Sequence, residues 1–299
     1  MTTPSRPPTG AARRRVRISD EETGRRMLDA AIATITERGM SVSLEHLSLE
    51  EIIQAAGVSR SSVYRRWPYK DLFFSDLLVE LASATTLAQG WGSVVPVAEE
   101  FLTGRLARPT GVPPEQDRVD FFVEFLRVIG AADFEQVAGS HQWRTYIALH
   151  ATHLGLPDGE LRRQVGAALA RSEQRLTELR ATVLRRITPL AGYRLIGSPD
   201  PVEGFRMLSV AVGASVTGLI VKSFADPDPA RETRRLAPFG TSQTAEWTDV
   251  ELVQVHLFLS YLEPDPAVSW GDERVRALLE SVRELAAQPP ADATRLGWS

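Results

Sequence analysis

The chain has 299 residues, of which 43% are hydrophobic and 24% are charged. This composition is typical of a soluble globular protein and excludes a disordered or fibrous one, and the length favours one large or two unequal domains. Cysteine is absent, which excludes disulfides, zinc ribbons and thiol nucleophiles and fits a reducing compartment. No apolar stretch follows the basic residues of the N-terminus, so we expect a cytoplasmic protein rather than a secreted one.

Charge is divided unevenly along the chain, although the net value is only −4. Residues 1–75 hold 12 basic and 9 acidic side chains, whereas residues 76–299 hold 22 basic and 29 acidic ones. A basic end on an acidic remainder is typical of a protein that binds nucleic acid through that end. We therefore expect DNA contacts to lie in the N-terminal quarter of the chain.

Helical periodicity begins near residue 20, where apolar residues fall on one face of a predicted first helix: Leu28, Ala31, Ile32 and Ile35. A capping pattern at Ser48 begins a short second helix, and Gly57 ends it. Ser59 can cap a third helix, and Pro68 precedes a fourth. Short helices separated by a glycine corner are typical of a helix-turn-helix.

The remainder of the chain continues with the same helical period. Seven helices are predicted, near residues 94–107, 115–131, 134–154, 158–188, 201–225, 246–262 and 271–287. Their separators are rich in Pro and Gly, residues 226–245 are expected to form a longer loop, and no strand is predicted.

These elements indicate an all-α protein, with an N-terminal three-helix helix-turn-helix domain followed by a larger helical bundle. The expected divisions are a basic, flexible arm at 1–18, the DNA-binding domain at 19–75, a ligand-binding and dimerisation domain at 76–288, and a tail at 289–299.

The stretch LEEIIQAAGVSRSSVYRRWPYKDL resembles the tetracycline-repressor (TetR) family of bacterial regulators across the second to fourth helices. The resemblance covers about residues 19–80, and the matching residues are Ile52, Ala56, Gly57, Val58, Ser59, Val63, Tyr64, Trp67 and Lys70. Three positions depart from the family pattern: Ser61 stands where Gly is frequent, Arg66 where His or Tyr is common, and Trp67 where Phe is usual.

The third helix has an inner and an outer face. Val63 and Trp67 are expected to pack inward, which leaves a polar face for the major groove of DNA. We expect Lys70 to contact phosphate, and the N-terminal arm to reach the adjacent minor groove unless it is only a solvated tail. The predicted DNA-binding residues are Arg60, Ser61, Ser62, Tyr64, Arg65, Arg66 and Lys70, with Arg13, Arg14, Arg15 and Arg17 in the arm.

Aromatic stripes in the larger domain are candidates for a ligand pocket, although most such stripes are simply core. The resemblance implies an inducer pocket in this domain, and the candidate lining residues are Phe125, Trp143, Tyr146 and His150. His150 and His153 share one helix face, but no third ligand accompanies them, so neither a metal nor another cofactor is expected.

Small residues in the predicted helix 201–225 allow another helix to approach closely, either from the same chain or from a second copy. The resemblance implies the second copy, and we expect a homodimer through the 201–225 and 246–262 helices. The longest uncharged apolar run, Met207–Val221, is shorter than the ~20 residues that span a bilayer, so a buried helix is expected and no membrane contact.

The function that this sequence favours is a ligand-responsive DNA-binding transcriptional regulator. The resemblance implies a repressor that a small-molecule inducer releases from a double-stranded operator. Two alternatives remain: a helical carrier of small hydrophobic molecules, and an enzyme with an incidental helical hairpin. An enzyme finds little support, because the sequence has no nucleophile elbow, no Walker loop and no HExxH motif.

Overall fold

The computed structural model describes residues 18–38, 47–84, 91–108, 111–197 and 200–287. Within these ranges the chain is mainly helical, as the sequence predicts, and it also contains four short strands that the sequence does not predict. The first four helices are α1 (Asp20–Arg38), α2 (Leu49–Ala56), α3 (Arg60–Arg66) and α4 (Lys70–Ala84). Ser48 and Ser59 cap α2 and α3, each accepting a hydrogen bond from a backbone N–H three residues later.

The larger part of the chain contains eight further helices in its described residues. They are α5 (Trp91–Leu106), α6 (Pro114–Gly139), α7 (His141–Gly155), α8 (Glu160–Leu190), α9 (Pro201–Ala225), α10 (Asp228–Arg231), α11 (Asp249–Tyr261) and α12 (Asp272–Ala287). The main packing partners are α5 with α6 and α12, α8 with α9 and α4, and α11 with α6 and α9.

The break between α6 and α7 lies later than predicted. Helical periodicity predicts that one helix ends near 131 and the next begins near 134, but α6 continues to Gly139. Ser140 then caps α7 by accepting a hydrogen bond from the backbone N–H of Trp143. The cap at Ser140 decides the boundary, because the small residues near 131 do not interrupt a helix that is packed on both sides.

The expectation of no strand is also wrong at four places. β1 (Tyr193–Leu195) pairs antiparallel with β4 (Leu262–Pro264), and β2 (Arg234–Leu236) pairs antiparallel with β3 (Ala245–Trp247). Each strand has three residues, which is too short for a period of two to stand out in the sequence. The expected loop at 226–245 therefore contains α10, β2 and the start of β3.

Two main apolar cores lie along the described chain. The N-terminal core contains side chains from α1 to α4 and extends to Leu149 on α7 and to Val165, Ala168 and Leu169 on α8. The body core contains side chains from α5 to α9, α11 and α12. Since α7 carries Trp143 in the body core and Leu149 in the N-terminal core, this helix contributes to both.

The helix α9 is apolar on two faces, and only one of them is covered. Its mean hydropathy and length are sufficient to cross a membrane, yet only 28% of its most apolar window is buried. A helix of a soluble core passes the same test of length and composition. The expectation that this helix is buried is thus correct for one face, and the other face lies open in the single chain.

The small residues of α9 explain its close packing on α8 within the same chain. The Ser209 side chain is fully buried and donates a hydrogen bond of 2.9 Å to the backbone carbonyl of Thr177 on α8. A Cβ atom added at Gly213 would lie 2.8 Å from the Arg180 guanidinium. At these positions the approaching helix is intramolecular.

Candidate DNA-binding surface and ligand cavity

The helix α3, which is the candidate recognition helix, is held in place by its inner face. Val63 is fully buried and Trp67 is 2% exposed, which confirms the predicted inner pair. The indole Nε1 of Trp67 donates a hydrogen bond of 2.8 Å to Asp76 on α4, and its ring packs edge-on against Phe73 with 5.1 Å between centroids. The orientation of α3 is therefore coupled to that of α4.

Gly57 makes the corner between α2 and α3. Its φ of 63° lies in the left-handed region, and its N–H bonds to the carbonyl of Gln54 at 3.2 Å. A residue with a Cβ adopts this conformation only at a cost of ~1 kcal/mol or more. The prediction that Gly57 ends α2 is confirmed.

The outer face of α3 exposes Arg60, Ser61 and Tyr64. Arg60 forms an ion pair with Glu50 on α2 at 2.5 Å, and the Tyr64 hydroxyl donates to the same carboxylate at 3.4 Å. The Ser61 hydroxyl lies 3.1 Å from that of the cap Ser59. These three side chains point away from the N-terminal core, where DNA can reach them.

Three other predicted DNA-binding residues make contacts within the protein. Arg65 forms an ion pair with Asp20 at the start of α1. The Arg66 guanidinium lies over the Trp67 ring, 5.0 Å from its centroid, and donates to the Asp20 carbonyl at 3.4 Å. Ser62 is half-buried, with its hydroxyl 2.8 Å from that of Ser59. Asp20 lies 45 residues before Arg65, so sequence spacing does not predict that the two side chains meet.

Lys70 begins α4 beside the recognition helix, and its ammonium lies 4.9 Å from the centroid of the Phe74 ring. Helix N-termini carry a partial positive charge, so this position favours a phosphate. Tyr69, which was not among the predicted DNA-binding residues, is 73% exposed at the same helix start. In the sequence, the feature that could have indicated Tyr69 is an aromatic residue between a proline and a lysine.

Four predicted arm residues, Arg13, Arg14, Arg15 and Arg17, lie outside the described residues.

A cavity of about 870 Å³ lies in the larger part of the chain, between α6, α7, α8, α9 and α11. Its wall is mostly apolar and aromatic, and a few polar side chains enter it, which is the usual composition of a small-molecule site. The side chains that shape it include Phe125, Ile129, Asp133, Trp143, Tyr146, Glu173, Arg180, Val212, Val216, Gln254 and Phe258.

The structure brings three of the four predicted ligand residues to this cavity. Phe125, Trp143 and Tyr146 line it, whereas His150 lies behind Tyr146 with 4.4 Å between the two rings. Burial, followed by the nearby His153, lowers the pKa of His150. In the ranges that the structure describes, no group of three or more His, Asp or Glu side chains is placed to hold a metal ion.

The polar side chains of the cavity were missed by the sequence analysis. Asp133, Arg180 and Gln254 come from α6, α8 and α11, which are far apart in the chain. Burial raises the pKa of Asp133 against the opposing effect of Arg180, and burial lowers the pKa of Arg180. In the sequence, the feature that could have indicated Asp133 as a cavity residue is its position as the single charged residue within the otherwise uncharged stretch VIGAADF of α6.

Two helices, α7 and α8, both line the cavity and pack against the N-terminal core. Trp143 and Tyr146 on α7 line the cavity, and Leu149, one turn later, packs in the N-terminal core. On α8, Arg180 lines the cavity, and Arg175 donates a hydrogen bond of 3.2 Å to the carbonyl of Ser83 on α4. A displacement of α7 or α8 at the cavity would therefore change the surface on which α4 packs.

Comparison with known proteins gives one family. Residues 27–77 match the family described as bacterial regulatory proteins, tetR family. No curated protein matches the chain.

Two solved structures resemble the chain weakly. One is native NalD, the secondary repressor of the MexAB-OprM multidrug efflux pump in Pseudomonas aeruginosa, with 22% identity over 82% of this chain and 98% of that one and a TM-score of 0.36. The other is a transcriptional regulator of the TetR family from Agrobacterium tumefaciens, with 16% identity over 70% of this chain and 90% of that one and a TM-score of 0.35.

The matched residues 27–77 contain the capped helices, the glycine corner and the buried Val63 and Trp67 described above. Residues 27–77 therefore form a domain of the tetR family of bacterial regulatory proteins.

Proposed function

We propose that this transcriptional regulator is a ligand-responsive repressor, which binds a double-stranded operator as a homodimer and leaves it when a small molecule occupies the cavity. The observation that carries the proposal is the sharing of α7 and α8 between the cavity wall and the packing surface of α4. A ligand that prefers one arrangement of these helices shifts the population of α4 and α3 orientations.

DNA binding is assigned to the outer face of α3 and to the start of α4. In this proposal Arg60, Ser61 and Tyr64 enter the major groove, and Lys70 and Tyr69 contact phosphates. Arg65 and Arg66 would join them after leaving Asp20, at little cost because these contacts are exposed. The arm arginines Arg13, Arg14, Arg15 and Arg17 are proposed to add minor-groove or phosphate contacts.

The dimer is proposed to form through the open face of α9, with a second copy of the chain as the occupant. Its exposed residues Met207, Val210, Ala214, Gly218 and Val221 are three or four positions apart and form one stripe. The expected contribution of the 246–262 segment stays a prediction; α11, which covers most of that segment, packs against α6 and α9 of its own chain. Two recognition helices must be held about 34 to 36 Å apart for successive major grooves, which requires a dimer.

The domain divisions are retained as a proposal: an arm at 1–18, a DNA-binding unit at 19–75, a ligand-binding and dimerisation unit at 76–288, and a tail at 289–299. The division at 75 falls inside α4, which suits a helix that transmits movement from one unit to the other. A cytoplasmic location, where the operator lies, completes the proposal.

The test is selection of DNA by the purified full-length protein. Double-stranded oligonucleotides with a random central region are incubated with the protein, recovered and sequenced over several rounds. We expect enrichment of an inverted repeat, with one half-site for each protomer. Recovery of unselected sequence would contradict sequence-specific regulation and favour the hydrophobic-carrier alternative.

The selected operator then allows ligand response to be tested. In a reporter strain, Trp143→Ala is expected to change the response to inducing compounds while it preserves repression, because Trp143 lines the cavity and lies outside the DNA-binding surface. His150→Ala should have a smaller effect, because His150 lies behind Tyr146. If both variants lose operator binding and unfold at lower temperature, the aromatic residues serve the core alone.

A further inference from the structure

The cavity wall carries more negative than positive charge. Its lining includes the carboxylates of Asp133, Glu173 and Glu178 and the guanidiniums of Arg180 and Arg206. Arg206 is already held by Glu203, one turn earlier on α9, through two hydrogen bonds of 2.6 and 2.7 Å. Among the described lining residues, Arg180 is thus the one guanidinium that forms no salt bridge with a carboxylate.

Asp133 is the carboxylate with the greatest need of a partner. It lies on α6, and within the described part of the chain it accepts no hydrogen bond and forms no ion pair. Its pKa is raised by burial, with Arg180 as the opposing influence. An ionised carboxylate away from water is unfavourable unless a cation or a donor is brought to it.

The charge and one donor of Arg180 are already engaged by groups of the protein. Its guanidinium donates to the Ser209 carbonyl at 3.2 Å, and Asp133 and Glu173 both act electrostatically to keep it charged. One cation therefore faces two carboxylates across the cavity. The His150 Nε2 atom lies 3.9 Å from Glu173, but burial lowers the pKa of His150, which favours a neutral ring that cannot balance the second carboxylate.

A second feature that supports a ligand in the cavity is an unpaired amide. Gln254 on α11 is 6% exposed and lines the cavity, and its Nε2 atom has no hydrogen-bond partner among the described residues. A buried amide donor without a partner costs ~1 to 3 kcal/mol, which a guest in the cavity would recover. The lining also includes the aromatic side chains of Phe125, Trp143 and Phe258, and the face of an aromatic ring attracts an organic cation.

We propose that the cavity selects an apolar organic cation, whose positive charge lies against Asp133 and Glu173 while its apolar groups contact the aromatic wall. This inference rests on the proposed function, because it names the class of ligand for the same cavity. The volume of about 870 Å³ admits a molecule with several rings.

A pair of probes with nearly equal size and opposite charge separates charge selection from simple hydrophobic binding. The tetraphenylphosphonium cation and the tetraphenylborate anion are titrated into the full-length protein by calorimetry, at pH 7 and constant ionic strength. We expect the cation to bind at least about tenfold more tightly than the anion.

Two matched variants test whether the carboxylate of Asp133 supplies the negative charge that attracts the cation. Asp133→Asn keeps the shape of the side chain. It should lower the affinity for the cation by about tenfold, and the affinity for the anion should stay the same or increase. Glu135→Gln removes the same charge from an exposed position two residues further along α6, and should change both affinities by less than about twofold. Thermal unfolding of each variant shows whether the fold is retained.

The outcomes distinguish the inference from the function on which it rests. If tetraphenylborate binds as tightly as the phosphonium, or if Asp133→Asn leaves the cation affinity unchanged, cation selection is wrong while a ligand cavity stands. If neither probe binds, both cation selection and the cavity as a ligand site are wrong. Operator binding, measured in parallel, reports on the DNA-binding surface alone.

Discussion

The carboxylate of Glu50 on α2 and the guanidinium of Arg60 on α3 form an ion pair of 2.5 Å on the outer face of the helix-turn-helix. The Tyr64 hydroxyl donates to the same carboxylate at 3.4 Å. Two side chains that we assign to DNA are thus held by one acidic residue in the free protein. The pair is exposed, so it contributes at most ~1 kcal/mol to stability.

Replacement of this carboxylate, Glu50→Gln, is expected to tighten DNA binding by about two- to fivefold at low salt. The change releases Arg60 and removes a negative charge that would approach the phosphates. Fluorescence anisotropy with labelled operator measures the affinity. Glu80→Gln on α4 removes one exposed charge elsewhere and serves as the control. Weaker binding by Glu50→Gln would show that Glu50 positions Arg60 for DNA instead of competing for it.

Arg60 and Lys70 are expected to differ in what they recognise. Arg60→Ala should cost ~1 to 3 kcal/mol on the best operator and relax preference at one base pair, because a bidentate contact to guanine discriminates between sequences. Lys70→Ala should weaken all sequences alike and reduce the salt slope by about one unit, because one fewer phosphate is neutralised. Competition across operator variants at several salt concentrations measures both effects. A loss of preference in Lys70→Ala and none in Arg60→Ala would reverse the assignment.

Deletion of residues 1–17 is expected to lower operator affinity while the melting temperature of the remaining chain changes little. The deleted segment contains Arg13, Arg14, Arg15 and Arg17, and no side chain of the described cores belongs to it. Substitution of these four arginines by glutamine should reproduce the effect and reduce the salt slope. Equal affinity of the full and shortened chains at low salt would exclude the arm from DNA binding.

A charge in the open stripe of α9 is expected to separate the dimer. Met207 is 52% exposed in the single chain, and Met207→Glu would bury a carboxylate against the same stripe of the second copy. Sedimentation at micromolar concentration should shift from dimer to monomer, and operator binding should weaken. Leu154→Glu places the same charge at a residue of α7 that is 75% exposed and should leave the dimer intact. A monomeric wild-type protein would refute the interface at once.

Tyr193 is expected to make stability fall in alkaline solution. Its ring stacks on Phe122 in the body core with 3.7 Å between centroids, and burial raises the pKa of Tyr193 to about 12. The folded chain therefore holds this proton more tightly than the unfolded chain, and the stabilisation is complete below pH ~10 and lost as pH rises towards 12. Urea unfolding between pH 9 and 11 should show a steeper loss in wild type than in Tyr193→Phe. Parallel curves for the two proteins would contradict a buried phenol.

The helices of the N-terminal part were predictable because their signals are local. Ser48 and Ser59 cap helices that begin one residue later, and Gly57 makes the corner between them. Val63 and Trp67 are four positions apart, so helical geometry alone places them on one inner face. The later boundaries were less accurate where small residues such as those near 131 fit either a turn or a packed helix.

The partners of the predicted DNA-binding residues were not predictable in the same way. In the sequence, Arg60, Arg65 and Arg66 all look like solvent-exposed arginines of one helix. The packing of α1 against α3 brings Asp20 to Arg65 and Arg66, whereas Arg60 pairs with Glu50. Ion pairs across such separations depend on helix crossing angles, which sequence periodicity does not contain.

By itself, the sequence determined the helical class, the corner at Gly57 and the polarity of α3, since these follow from caps, glycine conformation and a period of 3.6 residues. Only the tertiary structure decided the cavity. Asp133 and Gln254 lie 121 positions apart, and they meet because α6 and α11 pack side by side. The energetic gain of burying the apolar faces of these helices is what carries a carboxylate and an amide into a common space that neither helix would form alone.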